Sequence, residues 1–219
     1  MPVLYDPKVF TPARTTVYRL TARYFFGPMW AIYHRLEYSG RENIPNTPCV
    51  IVGNHLSNAD PPILSTVTDV PLAFLAKREL YDVPFLRQLI LTYGAISVDR
   101  QKPEPSTFKA VRQVFKNNWN LGMFIEGTRN KNPGVLGKPH TGPAYFAWAN
   151  KVPIVPVGIV GTGKPWAKAY AKIGKPIQPS ADLEKTTWEI MEALSELTGF
   201  ALPPREITDQ KSEQPSSLP

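Results

Sequence analysis

Cysteine is almost missing from this chain of 219 residues: Cys49 is the single thiol, so no disulfide can form within the chain and a reducing compartment is expected. There is no C-x-x-C pair and no H-E-x-x-H, so the spacings that hold structural or catalytic zinc are lacking. Long hydrophobic runs are lacking too. No stretch reaches the roughly 18 apolar residues of a spanning helix. The longest candidate, Tyr24 to Tyr33, is broken by Gly27 and Pro28 and flanked by Arg23 and His34. The first residues do not show a charged segment followed by an apolar core, so no secretory signal is expected. No G-x-S-x-G elbow offers a serine nucleophile. Finally, there is no run of Lys or Arg, although the net charge is +7. A dispersed basic excess suits anionic partners such as phosphate-bearing substrates, an acidic carrier or a membrane surface. Without basic residues interleaved with aromatics in a recognisable module, nucleic acid is not expected among them.

What the chain does have is 42% hydrophobic residues, enough for one sizeable core. Short apolar runs alternate with helical patterns. Leu36 to Asn46 suits a strand and turn, and Cys49 to Val52, Leu72 to Ala76, Ala95 to Val98, Leu121 to Ile125, Val152 to Val160 and Ala169 to Ile173 suit strands. Stretches after Asp60, at Phe85 to Leu91, Thr107 to Asn117, Ala144 to Ala149 and Trp188 to Leu197 suit helices. This alternation predicts an α/β fold: a single domain over residues 36–202 with a mixed central sheet flanked by helices. The prolines in V-P-I-V-P-V-G-I-V place the strand at 152–160 on a sheet edge or in interrupted pairing. Residues 203–219 are polar, contain Pro and Ser, and read as a disordered tail.

Residues 1–35 stand apart. From Arg14 the pattern is helical, with Val17, Tyr18, Leu20, Tyr24 and Phe25 on one side and Arg19 and Arg23 on the other. Beyond Gly27-Pro28, a second aromatic piece runs from Met29 to Leu36. Such a basic, aromatic, interrupted segment fits two roles: an amphipathic membrane-associating helix with rings at headgroup depth, or a helix packed on the core.

Chemistry concentrates at V-I-V-G-N-H-L-S-N-A-D, Val50 to Asp60. An apolar strand feeds a turn carrying His55, and Asp60 before Pro61 reads as an N-cap. A carboxylate five residues after a histidine can fold back to bond one ring nitrogen, leaving the other to accept a proton. The plain alternative is a capping Asp beside an ordinary loop histidine. The turn Glu126-Gly127-Thr128-Arg129-Asn130 follows another strand; its glycine lets backbone N–H groups approach a ligand, and its Arg offers a fork for phosphate oxygens. Gly158 to Lys164, G-I-V-G-T-G-K, imitates a phosphate-binding P-loop, but Pro165 stands where that loop needs Ser or Thr to hold magnesium, which argues against nucleotide hydrolysis.

Four blocks thus occur in order at predicted strand ends: N-H-L-S-N-A-D at 54–60, G-A-I-S-V-D-R at 94–100, F-I-E-G-T-R at 124–129 and V-P-I-V-P-V at 152–157. Together they resemble the glycerolipid acyltransferase family over residues 36–175. The resemblance implies transfer of a fatty acyl group from a thioester donor, acyl-CoA or acyl carrier protein, to the 2-hydroxyl of lysophosphatidic acid, yielding phosphatidic acid for phospholipid biosynthesis. It implies that His55 is the catalytic base, assisted by Asp60. Arg100, Gly127, Thr128 and Arg129 match positions associated with the acceptor's glycerol phosphate; Glu126 opens that block, and Lys77 in A-K-R-E-L resembles a basic position near the site. No cofactor beyond the thioester co-substrate is implied, and a place at the cytoplasmic face of a membrane is. One departure stands out. Many relatives carry a phenylalanine-lysine-x-glycine segment after the third block, where this chain has Pro139-His140-Thr141-Gly142 with Lys138 displaced. A different lysolipid acceptor, or a non-catalytic lipid-binding protein on the same scaffold, remain the alternatives.

Overall fold

A computed structural model describes residues 10–82, 87, 90–91, 93–98, 105–132 and 134–205. Seven strands form one sheet: β1 (Glu37–Ser39), β2 (Val50–Gly53), β3 (Leu72–Lys77), β4 (Ile96–Val98), β5 (Asn120–Phe124), β6 (Ile154–Val160) and β7 (Tyr170–Ile173), in the order β1-β7-β6-β2-β5-β3-β4. All pairings are parallel except β6 with β7, so the sheet is mixed, as expected. The central strand β2 is buried throughout, and its Val-Ile-Val run shows no polar alternation because helices cover both faces. Those helices include α3 (Asp60–Thr68), α4 (Pro105–Lys116), α5 (Gly142–Asn150) and α6 (Leu183–Thr198). The last begins on Asp182, whose side chain accepts from the Lys185 N–H. The helix expected at Phe85 to Leu91 lies mostly outside the described residues.

Of the two placements expected for Val152 to Val160, the sheet edge is corrected and the interrupted pairing is found. β6 is an interior strand, between β7 and β2. Pro153 lies before it, and Pro156 sits where its missing N–H does little harm. The β6–β7 ladder runs only from Val157, and at its end Gly174 N–H donates to the Pro156 carbonyl at 2.8 Å. The side of Pro156 without a donor is therefore outside the ladder.

The N-terminal segment is also corrected. Gly27-Pro28 does not interrupt it: α1 (Pro12–Thr21) continues through a π turn, Ala22–Phe26, into α2 (Gly27–Tyr33). Proline cannot donate, and its ring crowds the preceding turn; the wider turn, with Gly27 N–H bonded to the Ala22 carbonyl, absorbs both effects. Nor do the aromatic residues form one face. Tyr18 and Ala22 are buried, with the Tyr18 hydroxyl donating to Ser65 Oγ at 2.6 Å and its ring edge-on to Trp119. Val17, Leu20, Tyr24, Phe25 and Ile32 are exposed. The helix thus packs on the core along one stripe and leaves an apolar stripe beside it uncovered. No helix among the described residues is long and apolar enough to cross a membrane.

Candidate active site

Parallel strands that share a register deliver their following loops to the same edge of the sheet. Gly53 at the end of β2 lies opposite Phe124 at the end of β5 and Val157 in β6, so the loops carrying His55, Glu126 and Thr162 leave the sheet side by side. The first loop is tied down at its start: the buried Asn54 side chain donates to the Ile159 carbonyl at 2.8 Å and accepts from the Ile159 N–H at 2.7 Å.

Asp60 is not the N-cap of α3 but its first residue, and Ala59 precedes it without a side-chain cap bond. The reason is visible in the carboxylate's partners. Oδ2 turns back into the preceding turn and accepts from Leu56 N–H at 2.6 Å, Ser57 N–H at 2.7 Å and His55 Nδ1 at 2.8 Å. Oδ1 accepts from Thr162 Oγ1 at 2.6 Å and from Ser57 Oγ at 3.3 Å. The carboxylate is fully buried and surrounded by donors, which is what a buried charge requires. Since a carboxylate only accepts, Nδ1 of His55 carries a proton, and Nε2 is the ring nitrogen left to take one. The imidazole is further held by the Phe124 ring, stacked at 4.1 Å between centroids and 16° between planes. Phe124 in turn stacks on Phe74 at 6.2 Å. Phe74 fits only because residue 122 is glycine; a Cβ there would meet its ring carbons at 2.5–2.8 Å.

The turn after β5 is joined to the His55 loop by its backbone. Glu126 Oε1 accepts from the His55 N–H at 3.0 Å, and Asn130 N–H donates to the His55 carbonyl at 2.7 Å. Glu126 Oε2 reaches the other way, to the Gly137 N–H at 2.9 Å. The buried Glu126 therefore clamps three chain segments, while Thr128 and Arg129 stand exposed beside it. With Asn130, Lys131, Asn132, Lys138 and His140, these residues line an open cavity of about 390 Å³. Gly127, at φ 63°, packs under the His140 ring, where a Cβ would come within 2.9 Å.

Burial pushes the Glu126 carboxyl above the usual carboxylate range, opposed by the two backbone N–H groups it accepts from. Such a group takes up its proton at higher pH folded than unfolded, so its contribution to stability is greatest at acid pH and is lost as pH rises through the raised value. Accordingly, the difference in Tm between wild type and Glu126→Gln is expected to be larger at pH 5 than at pH 7. Equal differences at the two pH values would contradict this assignment.

The structure brings His55, Asp60 and Glu126 into one bonded unit and sets Gly127, Thr128 and Arg129 next to it. Lys77 stands at the C-terminal end of β3, on the same edge of the sheet but separated from β2 by β5. Arg100 lies outside the described residues. Thr162, Asn54 and Phe124 escaped the sequence reading: the first was hidden in the P-loop imitation, the others in apolar or turn context. Asn54, beside His55 in the first block, and Phe124, at the head of the third, carried a local signal; Thr162 did not. The imitation itself fails structurally as well as chemically, since its strand is followed by turns and not by a helix. Cys49 is buried below β2, its thiol pushed up to about 12 by burial and bonded to Asn120 Oδ1, which removes it as a nucleophile near neutral pH.

The fold and the site together define an α/β protein with a paired histidine and carboxylate at the carboxyl ends of its central strands. The acyltransferase family model matches residues 35–160, and the chain belongs to the acyltransferase family. The 1-acyl-sn-glycerol-3-phosphate acyltransferase of Pseudomonas aeruginosa is 35% identical over 149 residues, covering 66% of this chain and 56% of that protein. The chloroplastic 1-acyl-sn-glycerol-3-phosphate acyltransferase BAT2 of Brassica napus is 30% identical over 156 residues, 67% of this chain and 45% of its own length. The chain spans about half the length of these curated relatives. Among solved structures, the 1-acyl-sn-glycerophosphate (LPA) acyltransferase of Thermotoga maritima superposes with a TM-score of 0.70 at 22% identity, over 89% of this chain and 82% of that one.

Proposed function

We propose that this protein transfers a fatty acyl group from a thioester, acyl-CoA or acyl carrier protein, to the 2-hydroxyl of lysophosphatidic acid, making phosphatidic acid. The observation that carries this is the 2.8 Å bond from His55 Nδ1 to the buried Asp60, next to the clamped turn that presents Arg129. His55 Nε2 accepts the proton of the acceptor hydroxyl as its oxygen attacks the thioester carbonyl carbon. The carbonyl becomes a tetrahedral oxyanion; its collapse reforms the C=O and breaks the C–S bond, and the departing sulfur takes the proton from the imidazolium. Asp60 stabilises the imidazolium between these events. Transfer is direct, without an acyl-enzyme.

Arg129 is the group assigned to the acceptor phosphate, with Arg100 as its partner and Lys77 supplying further positive charge. Gly127 and Thr128 shape the turn, and Glu126 serves it by bonding backbone. Arg129→Lys is expected to raise the KM for acceptor more than the KM for donor, because a point charge replaces a planar fork; the opposite pattern would move Arg129 to the donor.

Both substrates are lipid-like, and the exposed stripe Val17, Leu20, Tyr24, Phe25 and Ile32 is the surface assigned to the membrane. Because Tyr18 and Ala22 belong to the core, the test is substitution and not deletion. Leu20→Glu with Phe25→Glu is expected to lower partition onto anionic vesicles about tenfold or more, with Tm unchanged. Undiminished vesicle binding would remove this surface from the proposal. The reaction itself is tested by offering labelled thioesters and a panel of lysolipids in vesicles: product from lysophosphatidate supports the full reading, product from another lysolipid alone changes the acceptor, and none from any refutes it.

A further inference from the structure

The segment that imitates a P-loop has a different use. Gly161 turns the chain out of β6 at φ 89°, in a space so tight that a Cβ would collide with the Lys168 carbonyl. This turn drops Thr162 into the interior, 4% exposed, with Oγ1 2.6 Å from Asp60 Oδ1. The partners of the two carboxylate oxygens differ in origin. Everything that holds Oδ2 comes from residues 55–57, the loop that bears the histidine itself. On Oδ1, Ser57 contributes only a 3.3 Å contact from that same loop, and the short bond arrives from Thr162 in the loop that follows β6. All three bonds to Oδ2 move with the loop that bears the histidine. The short bond from Thr162 ties the carboxylate to a separate element, the loop that follows β6.

We infer that Thr162 is a positioning residue of the reaction, a third member behind His55 and Asp60 that ties the Asp60 carboxylate to the loop after β6 and, through it, steadies the His55 imidazole. The Thr162 hydroxyl donates to Asp60 Oδ1. It touches neither substrate; its effect reaches them only through the histidine. The loop is anchored independently of the site: Ala169 N–H donates to the His34 carbonyl at 2.8 Å, His34 Nδ1 meets the Ala167 carbonyl at 3.1 Å, and the Trp166 ring lies 4.6 Å from that of Tyr33. The position of Thr162 therefore does not depend on bound substrate. This inference rests on the proposed acyl transfer for its kinetic consequence, but its geometric content stands apart from any reaction.

The test compares the full-length wild type with Thr162→Val, which keeps the shape and removes the hydroxyl, and Thr162→Ser, which keeps the hydroxyl. Acyl transfer to the lysolipid that wild type accepts is expected to show kcat lowered about 10- to 100-fold in Thr162→Val, with both KM values unchanged, and restored to within a few-fold in Thr162→Ser. The His55 Nδ1–H proton resonance, assigned by its loss in His55→Ala, is followed without substrate. It is expected to broaden through faster exchange in Thr162→Val and to return in Thr162→Ser. Wild-type kcat in Thr162→Val, or a serine variant no better than valine, overturns the inference, as does a raised acceptor KM at constant kcat. If the proton resonance responds as expected while wild type transfers no acyl group to any acceptor, the acyltransferase reading fails and the positioning role stands.

Discussion

Replacing His55 by Ala is expected to lower acyl transfer by about 10²- to 10⁴-fold, the usual contribution of a positioned general base, with the fold preserved. The effect is large because neither carboxylate of the site nor the thiol can take over. Asp60 is buried and engaged by donors on both oxygens, Glu126 has its oxygens turned to the backbone of His55 and Gly137, and the Cys49 thiol is buried at the opposite, amino-terminal end of the strands. The fold survives because the His55 backbone, not its ring, joins the two loops: its N–H and carbonyl bind Glu126 and Asn130, and alanine keeps both. What the imidazole leaves behind is a gap against Phe124, at the cost of a partly exposed stacking contact. The check is kcat/KM with the preferred lysolipid alongside a thermal melt. An active variant would end the general-base mechanism, whereas an unfolded one would show that the stacked ring carries more of the structure than its exposure suggests.

The distribution of what could be read in advance follows from the range of the interactions. The strands at 50–53, 72–77, 120–124 and 170–173 were legible because β-branched and apolar runs of that length have few other uses, and the mixed sheet followed from alternation with helices. Pro153 and Pro156 left an edge and an interrupted pairing equally open, because where the neighbouring ladder starts is a property of β7 and not of β6. Tyr18 and Leu20 looked alike in a helical pattern; which of them is buried was decided by Ser65 and Trp119, distant in the chain. At the site, the histidine and aspartate could be paired from spacing, since they are five residues apart. The bonds that make the pair rigid span far more chain: Glu126 to the His55 backbone, Asn54 to Ile159 and Thr162 to Asp60. Long-range bonds of this kind leave no periodicity to detect, and Thr162 was concealed further by a local pattern that suggested phosphate.

Asp60→Asn is expected to fold nearly as well as wild type and to lose about 10²- to 10⁴-fold in kcat, which separates the charge of the carboxylate from its shape. The outcome depends on which atoms can reverse their roles. Three donors converge on Oδ2, two of them backbone N–H groups, so the asparagine must place its carbonyl oxygen there. Its amide nitrogen then takes the Oδ1 position, facing the hydroxyls of Thr162 and Ser57. A hydroxyl can turn from donor to acceptor, so both contacts can be kept. His55 keeps Nδ1–H directed at an oxygen and presents the same Nε2. Only the negative charge is gone, and with it the stabilisation of the imidazolium as it gains the acceptor's proton. Asp60→Ala behaves differently: it strands the backbone donors and the Thr162 hydroxyl, costing about 3 to 5 kcal/mol of stability besides activity. Melting and single-turnover transfer measured on both variants distinguish the two roles. If Asp60→Asn retains wild-type kcat, the carboxylate only orients the ring. If it melts as low as Asp60→Ala, the hydroxyls do not reverse and the network around Oδ1 is more rigid than its two side-chain donors require.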